Sequence, residues 1–302
     1  MTQSTADKNL LSVVIPINKF KRDFKNLCEI IRASKTLSLE LIFVLDTSEN
    51  SAHETLEEFC QTESLMNYRI LESNRRNPGS SKNIGILHAT GKWVFFCDSD
   101  DKPNLQIILN CILNIAINID VVIGSYETED LRNSSVNQVI LNESNLNWEL
   151  VAMTPGLWRW LIKRDVLSGI TFPELSMGED QCFIIRLFGK EPKVEFSQEI
   201  FYKYRIGVSG SLTSGRDKIN DLEKVIQIEL QFAQMTIEYA RIRNYMIIKQ
   251  IFTLILKGNL IMKLRGLIYL TQLSRTISLK EYIKIIRFIS LLIRKRIVIR
   301  NA

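Results

Sequence analysis

Only two histidines occur in 302 residues, and His53 and His88 lie far from each other and from any closely spaced cysteines. That spacing offers no zinc ligand set. The five cysteines, Cys28, Cys60, Cys97, Cys111 and Cys182, are odd in number and scattered. They are expected as reduced, mostly buried small hydrophobes rather than disulfides. No apolar run approaches the ~20 residues of a membrane-spanning helix. The opening MTQSTADKNL lacks the basic-then-apolar order of a secretory signal, so the expected location is the cytoplasm. No GxGxxG follows the first strand-like run, which argues against a dinucleotide fingerprint. Lys82 sits between Gly79 and Gly85 without the GKS or GKT ending of a P-loop. The frame Gly207–Ser211 lacks the last glycine of a GxSxG nucleophile elbow.

What the chain does contain is an ordinary globular composition, 46% hydrophobic and 24% charged, long enough for one α/β domain with an appendage. Charge is distributed unevenly. Residues 241–302 hold fourteen Lys and Arg against the single acid Glu281, a net +13, which leaves −7 on residues 1–240. An acidic body over 1–214 and a basic, mainly helical extension over 215–302 are therefore expected to have different tasks.

Apolar runs at 10–16, 39–45, 68–71 and 93–97 alternate with helical spacing at 24–34, 52–60 and 84–89. That alternation predicts a mostly parallel sheet covered by helices on both faces. Farther on, 105–117 reads as a helix, 121–124 as a short strand with 138–141 beside it, 156–167 as an amphipathic helix and 181–188 as another. Two strand-like runs follow within 193–206, and the small-residue segment 207–215 reads as a loop suited to act as a lid.

The run Trp93-Val94-Phe95-Phe96-Cys97-Asp98-Ser99-Asp100-Asp101 leads a buried strand directly into three carboxylates. Ligands of open α/β sheets bind at the carboxyl ends of the strands, and an Asp-x-Asp pair there offers hard oxygens to Mg²⁺ or Mn²⁺. The same residues also suit a helix-capping turn. Other polar residues close the second and third strands, Asp46 and Lys82, and Asp180 follows later in the chain.

In that order these pieces resemble family 2 glycosyltransferases of the GT-A fold. The resemblance runs from about residue 11 to 213 and is carried by SVVIPINK, FVLDTSEN, PGSSKNIGILHATGKWVFFCDSDD, FPELSMGEDQCFIIRL and YKYRIGVSGSLT. It implies an inverting, metal-dependent transferase that uses a nucleotide sugar, with UDP as the nucleotide. The acceptor would be a saccharide or a lipid-linked molecule of bacterial surface polysaccharide or glycolipid assembly. By the same resemblance Asp100 and Asp98 would serve the divalent metal, and Asp98 would also contact the ribose. Asp46 would receive the nucleobase, Lys82 would lie near base or phosphate, Pro16 would line the nucleotide site, and Asp180 would be the catalytic base. Its bland alternative is helix capping at Gln181.

Three departures from the family pattern stand out: Leu45 for the first of two paired acids, Lys82 for an arginine, and Gly207 for a histidine. They keep open a second function, a degenerate nucleotide-sugar-binding or scaffold subunit. A nucleic-acid-binding role is disfavoured by the acidic body and the absence of a recognition motif. In the extension, Lys280, Lys284, Arg287 and Arg294 share one helical face, with Ile285, Phe288, Ile289 and Leu292 elsewhere around it. That segment fits either a helical annex on the body or a peripheral contact with an anionic membrane surface.

Overall fold

In a computed structural model of the full chain, the structure describes residues 10–141, 147–207, 219–232, 235–274, 277 and 282–287. The first half follows the alternation of the sequence: β1 (Leu11–Ile17), α1 (Phe20–Ser34), β2 (Leu39–Leu45), α2 (Ala52–Thr62), β3 (Tyr68–Glu72), α3 (Pro78–His88) and β4 (Trp93–Phe96). The order β3-β2-β1-β4 is parallel throughout, with Val14 in register with both Ile42 and Phe96. All seven residues of β2 are buried, as expected for a strand covered on both faces.

Beyond β4 the sheet becomes mixed. It continues as β8 (Trp160–Lys163), β6 (Val121–Asp130), β9 (Val194–Ile206) and the short β5 (Lys102–Pro103), with β7 (Ser135–Val139) on β6. β8 is antiparallel to both β4 and β6, whereas β6 and β9 run parallel. The amphipathic helix expected over 156–167 is therefore absent. A 3-10 turn at Leu157–Arg159 leads into β8, and a second at Arg164–Leu167 follows. Trp160, Leu161 and Ile162 are fully buried between two strands, so sheet pairing overrides the helical spacing.

Several boundaries also move. The strand at 121–124 extends to Asp130 because its outer half pairs with both β7 and β9. The two runs expected in 193–206 form one strand, and register shifts near Ser125 absorb the mismatch with β6. α3 begins six residues before the helical spacing expected from 84, where the Asn77 side chain accepts from the Ser80 N–H at 3.0 Å and Pro78 occupies the first turn. The helix expected over 105–117 is α4 (Leu105–Asn114), which stops short of Ile117. All five cysteines are free, and four are buried. The lid reading at 207–215 lies outside the described residues from 208 onward.

The polypeptide closes with α5 (Asn147–Met153) and α6 (Glu179–Phe188) in the body, then α7 (Ile219–Gln231), α8 (Ile237–Lys257) and α9 (Leu260–Ser274). α8 is apolar on the side that meets the body. Tyr245, Met246, Ile247, Ile248, Ile251 and Leu254 are buried in the same core cluster as Val14, Phe96, Ile162 and Phe183. These helices thus complete the layer on one face of the sheet.

Candidate functional site

Four strands or their following turns bring the candidate residues to one edge. Pro16 lies on β1 in register with Val44, and Asp46 follows β2. Lys82 projects from the first half of α3, and Asp98 to Asp101 follow β4. Glu179 and Asp180 open α6, whose N-cap is Gly178 at φ +85°. Asp180 is therefore in the first turn rather than at the cap itself. A Cβ on Gly178 would stand 2.7 Å from Val225 on α7, so glycine is required both by backbone conformation and by the approach of that helix.

Lys82 Nζ stands 2.5 Å from Asp180 Oδ1, with Glu179 Oε1 at 3.1 Å and the Phe172 ring at 5.2 Å. Lys82 is almost wholly buried. Burial works against its charge, but Asp180, Glu179 and Asp98 together raise the ammonium's pKa above the ordinary lysine value. The second oxygen of Asp180 accepts from the Leu157 N–H at 3.1 Å. Lys82 thus lies among carboxylates of the acid pair and the Asp-x-Asp turn, a more specific position than the sequence implied.

Asp98 is the most perturbed of the accessible acids. Burial pushes its carboxyl up to about 7, with Asp180, Asp100 and Glu179 adding repulsion and Lys82 opposing them. Burial likewise raises Asp100, against the attraction of Arg22, whose Nη2 donates to Asp100 Oδ2 at 3.0 Å. Asp101 is buried, accepts from the Arg205 N–H at 2.7 Å through Oδ1, and leaves Oδ2 without a hydrogen bond.

The acidic turn is clamped from three sides by residues that pattern reading passed over. Asn26 Nδ2 donates to the Ser99 and Asp101 carbonyls at 2.9 and 2.6 Å, while its oxygen accepts from Arg205 Nη1 at 3.0 Å. Ser99 Oγ donates to Asp23 Oδ2 at 2.6 Å, and the Asp98 N–H donates to the Tyr202 hydroxyl at 2.9 Å. A signal existed for the first pair. Asp23 and Asn26 fall on the same buried face of α1 as Leu27, Ile30 and Ile31, where polar residues need partners. Asn83 has a similar role next to Lys82, exchanging bonds of 2.8 and 3.0 Å with the Phe172 backbone and holding the segment before Glu179.

Asp46 is differently employed. Its two oxygens accept the N–H groups of Arg76 and Asn77 at 2.9 and 2.8 Å, and Ser81 Oγ lies at 3.3 Å. These bonds fix the turn into α3, in which Arg76 has φ +50°. Beside the acidic turn, Trp158 stacks on Tyr202 and Tyr204 at 4.9 and 5.2 Å, and Arg159 is fully buried over the Tyr126 ring at 4.9 Å. No carboxylate pairs with Arg159 among the described residues, and burial lowers its pKa to about 10.

Among the described residues, no three His, Cys, Asp or Glu side chains converge as a self-contained metal cage. Mg²⁺ does not require one, because one or two carboxylates plus substrate phosphates and water commonly complete its shell. Asp98, crowded by other carboxylates, and Asp100 on the same turn fit that limited role, since a cation there would relieve their mutual repulsion.

Comparison with known proteins places the chain in a family. The family model for "Glycosyl transferase family 2" matches residues 12–187. The chain belongs to that family. Relatives include glycosyltransferase GlyG of Streptococcus pneumoniae, 24% identical over 65% of this chain and 70% of its own length. Another is the poly(ribitol-phosphate) β-N-acetylglucosaminyltransferase TarP of Staphylococcus aureus, 27% identical over 70% of this chain and 66% of its own. Among solved structures, S. aureus TarS 1–349 in complex with UDP-GlcNAc superposes with a TM-score of 0.68 at 17% identity, covering 90% of this chain and 82% of that one. That likeness establishes the GT-A fold.

Proposed function

We propose that this chain is an inverting glycosyltransferase that moves a sugar from a UDP-linked donor to a saccharide or lipid-linked acceptor during bacterial surface polysaccharide or glycolipid assembly. The observation that carries this reading is the convergence of Asp98 and Asp100 with the Lys82–Glu179–Asp180 cluster at one sheet edge. Residues 1–214 form the catalytic unit in this reading. Support for surface polymers comes from relatives named for transfer to poly(ribitol phosphate), and support for UDP from the neighbour with UDP-GlcNAc.

In this reading Asp98 and Asp100 hold Mg²⁺ or Mn²⁺, which when bound offsets negative charge on the departing diphosphate. Asp180 accepts the proton of the acceptor hydroxyl as that oxygen attacks the anomeric carbon and the bond to the diphosphate breaks, its electron pair leaving with the nucleotide. Lys82 aims Asp180 through their ion pair, while the Leu157 N–H fixes the carboxylate's other oxygen. Pro16 and Asp46 border the nucleotide, Asp46 chiefly by holding the Arg76–Asn77 turn. Peripheral attachment to an anionic membrane through the basic extension would bring the site to a lipid-linked acceptor.

One observation favours the alternative of a binding or scaffold subunit: both oxygens of Asp180 already have partners. A panel of UDP- and GDP-sugars with Mn²⁺ and a poly(ribitol phosphate) or oligosaccharide acceptor separates the two. Acceptor-dependent release of UDP, absent in Asp180→Asn, supports transfer. Nucleotide binding with no release under any pairing favours the subunit.

A further inference from the structure

α9 is apolar on two opposite faces, and only one is covered. Met262, Gly266, Tyr269, Leu270 and Leu273 turn toward the rest of the protein. Gly266 lies so close to α8 that a Cβ there would stand 2.6 Å from Ile255. Leu260, Ile261, Leu264, Leu267 and Ile268 recur at helical spacing on the opposite side. Each is more than half exposed, from 52% at Leu267 to 73% at Leu260, and Leu256 at the end of α8 adds to the patch at 68%. A soluble surface rarely leaves contiguous aliphatic residues of this size uncovered without a partner.

The charges around the ridge identify the partner. At 100° per residue, Lys263 and Arg265 fall on its two flanks, and Lys257 stands at the preceding corner. Residues 257–274 contain no acid. Arg265 is held by Glu223, whereas Lys257 and Lys263 are exposed and have no carboxylate partner among the described residues. A second copy placed face to face would bring these lysines toward one another. An anionic bilayer would receive the aliphatic ridge at the headgroup boundary and pair with the flanking cations.

We infer that α9 is an interfacial membrane-docking helix: its outward ridge inserts into an anionic lipid surface and the lysines at its border engage the headgroups. The inference rests on the membrane reading of the extension but places the contact elsewhere. Within 282–287, part of the segment that the sequence left open between a helical annex and a lipid-facing helix, Ile285 is wholly buried in the body's core cluster. That segment is fastened to the protein by its apolar side, while α9 presents its own outward.

The test is co-sedimentation of the full chain with vesicles of phosphatidylglycerol and phosphatidylcholine at low salt, beside vesicles of phosphatidylcholine alone. Binding confined to the anionic vesicles is expected. Ile261→Ser with Leu264→Ser and Ile268→Ser should lower it at least tenfold without changing the thermal midpoint or UDP binding, because all three side chains are exposed. Lys257→Glu with Lys263→Glu should lower it roughly tenfold or more and remove its salt dependence. If wild-type protein ignores the anionic vesicles, the membrane reading and the α9 inference both fall. If it binds but the triple-serine variant binds equally, while Lys284→Glu with Arg287→Glu does not, only the α9 assignment is overturned. A wild-type dimer dispersed by the triple-serine change, without vesicle binding, would assign the ridge to self-association instead.

Discussion

The sheet edge and the C-terminal helices are held by opposite physics. At the edge, Asp98, Asp100, Asp101, Glu179 and Asp180 crowd around Lys82, Arg22 and Arg205, and burial raises the pKa of four of those acids. Such a cluster costs stability, and clusters of this kind are typical of functional sites. In the helices, α8 contributes Tyr245, Met246, Ile247, Ile248, Ile251 and Leu254 to a buried apolar core. The comparison teaches that stability and function are separable here by region. They meet where α8 touches the site: Gln250 Nε2 donates to Gln181, the residue after Asp180, and to the buried Glu229 at 3.1 Å.

The largest expected effect that would sharpen this division is loss of transfer in Asp180→Asn. A fall of about 10³-fold in transfer with little change in UDP affinity is expected, since an amide cannot take the acceptor's proton. Single-turnover transfer beside calorimetric UDP binding measures both. Retained transfer would remove Asp180 from the base role. Asp100→Ala should come next, with most metal-dependent turnover lost and the response to added Mn²⁺ flattened. Turnover that still rises with Mn²⁺ as in wild type would place the metal elsewhere.

Two stability experiments probe the comparison from the other side. Ile251→Ala removes a fully buried α8 side chain and should cost about 2–4 kcal/mol, leaving the turnover of the folded fraction unchanged. Lys82→Met should cost about 3 kcal/mol near neutral pH, because it leaves Glu179 and Asp180 uncompensated in a buried site. Equal destabilisation by Lys82→Met at pH 5 and pH 8 would contradict that account, since protonation of Glu179, whose carboxyl burial raises, should relieve it.

The smallest effect has the most specific sign. Asp98 is raised from 3.8 to about 7 in the folded protein. Its contribution to stability is therefore intact below pH ~4 and lost as pH rises through 7. Asp98→Asn should flatten that decline and gain on the order of 2 kcal/mol at pH 8 while abolishing turnover. Denaturant unfolding across pH 4 to 8 measures it, and a variant less stable than wild type at pH 8 would break the proposed contrast.

The sequence by itself determined the parallel half of the sheet, because β1, β2 and β4 are short apolar runs ending in polar residues, a pattern that needs no distant partner to be read. It also determined which acids stand at strand ends, since Asp46 and Asp98 follow the apolar runs of β2 and β4. Only the tertiary structure decided that Trp160–Lys163 is a strand. Those residues have helical spacing, and the free edges of β4 and β6 on either side are what draw them into the sheet. It likewise decided what each polar group touches. Lys82 meets residues 97 and 98 positions away, Asn26 clamps a turn 73 to 75 positions away, and Asp46 is occupied by the backbone of Arg76 and Asn77. Local spacing encodes which face of an element a residue occupies, but the partner on that face is set by chain crossings. Both faces of α9 are apolar, so packing alone chose which one reaches solvent.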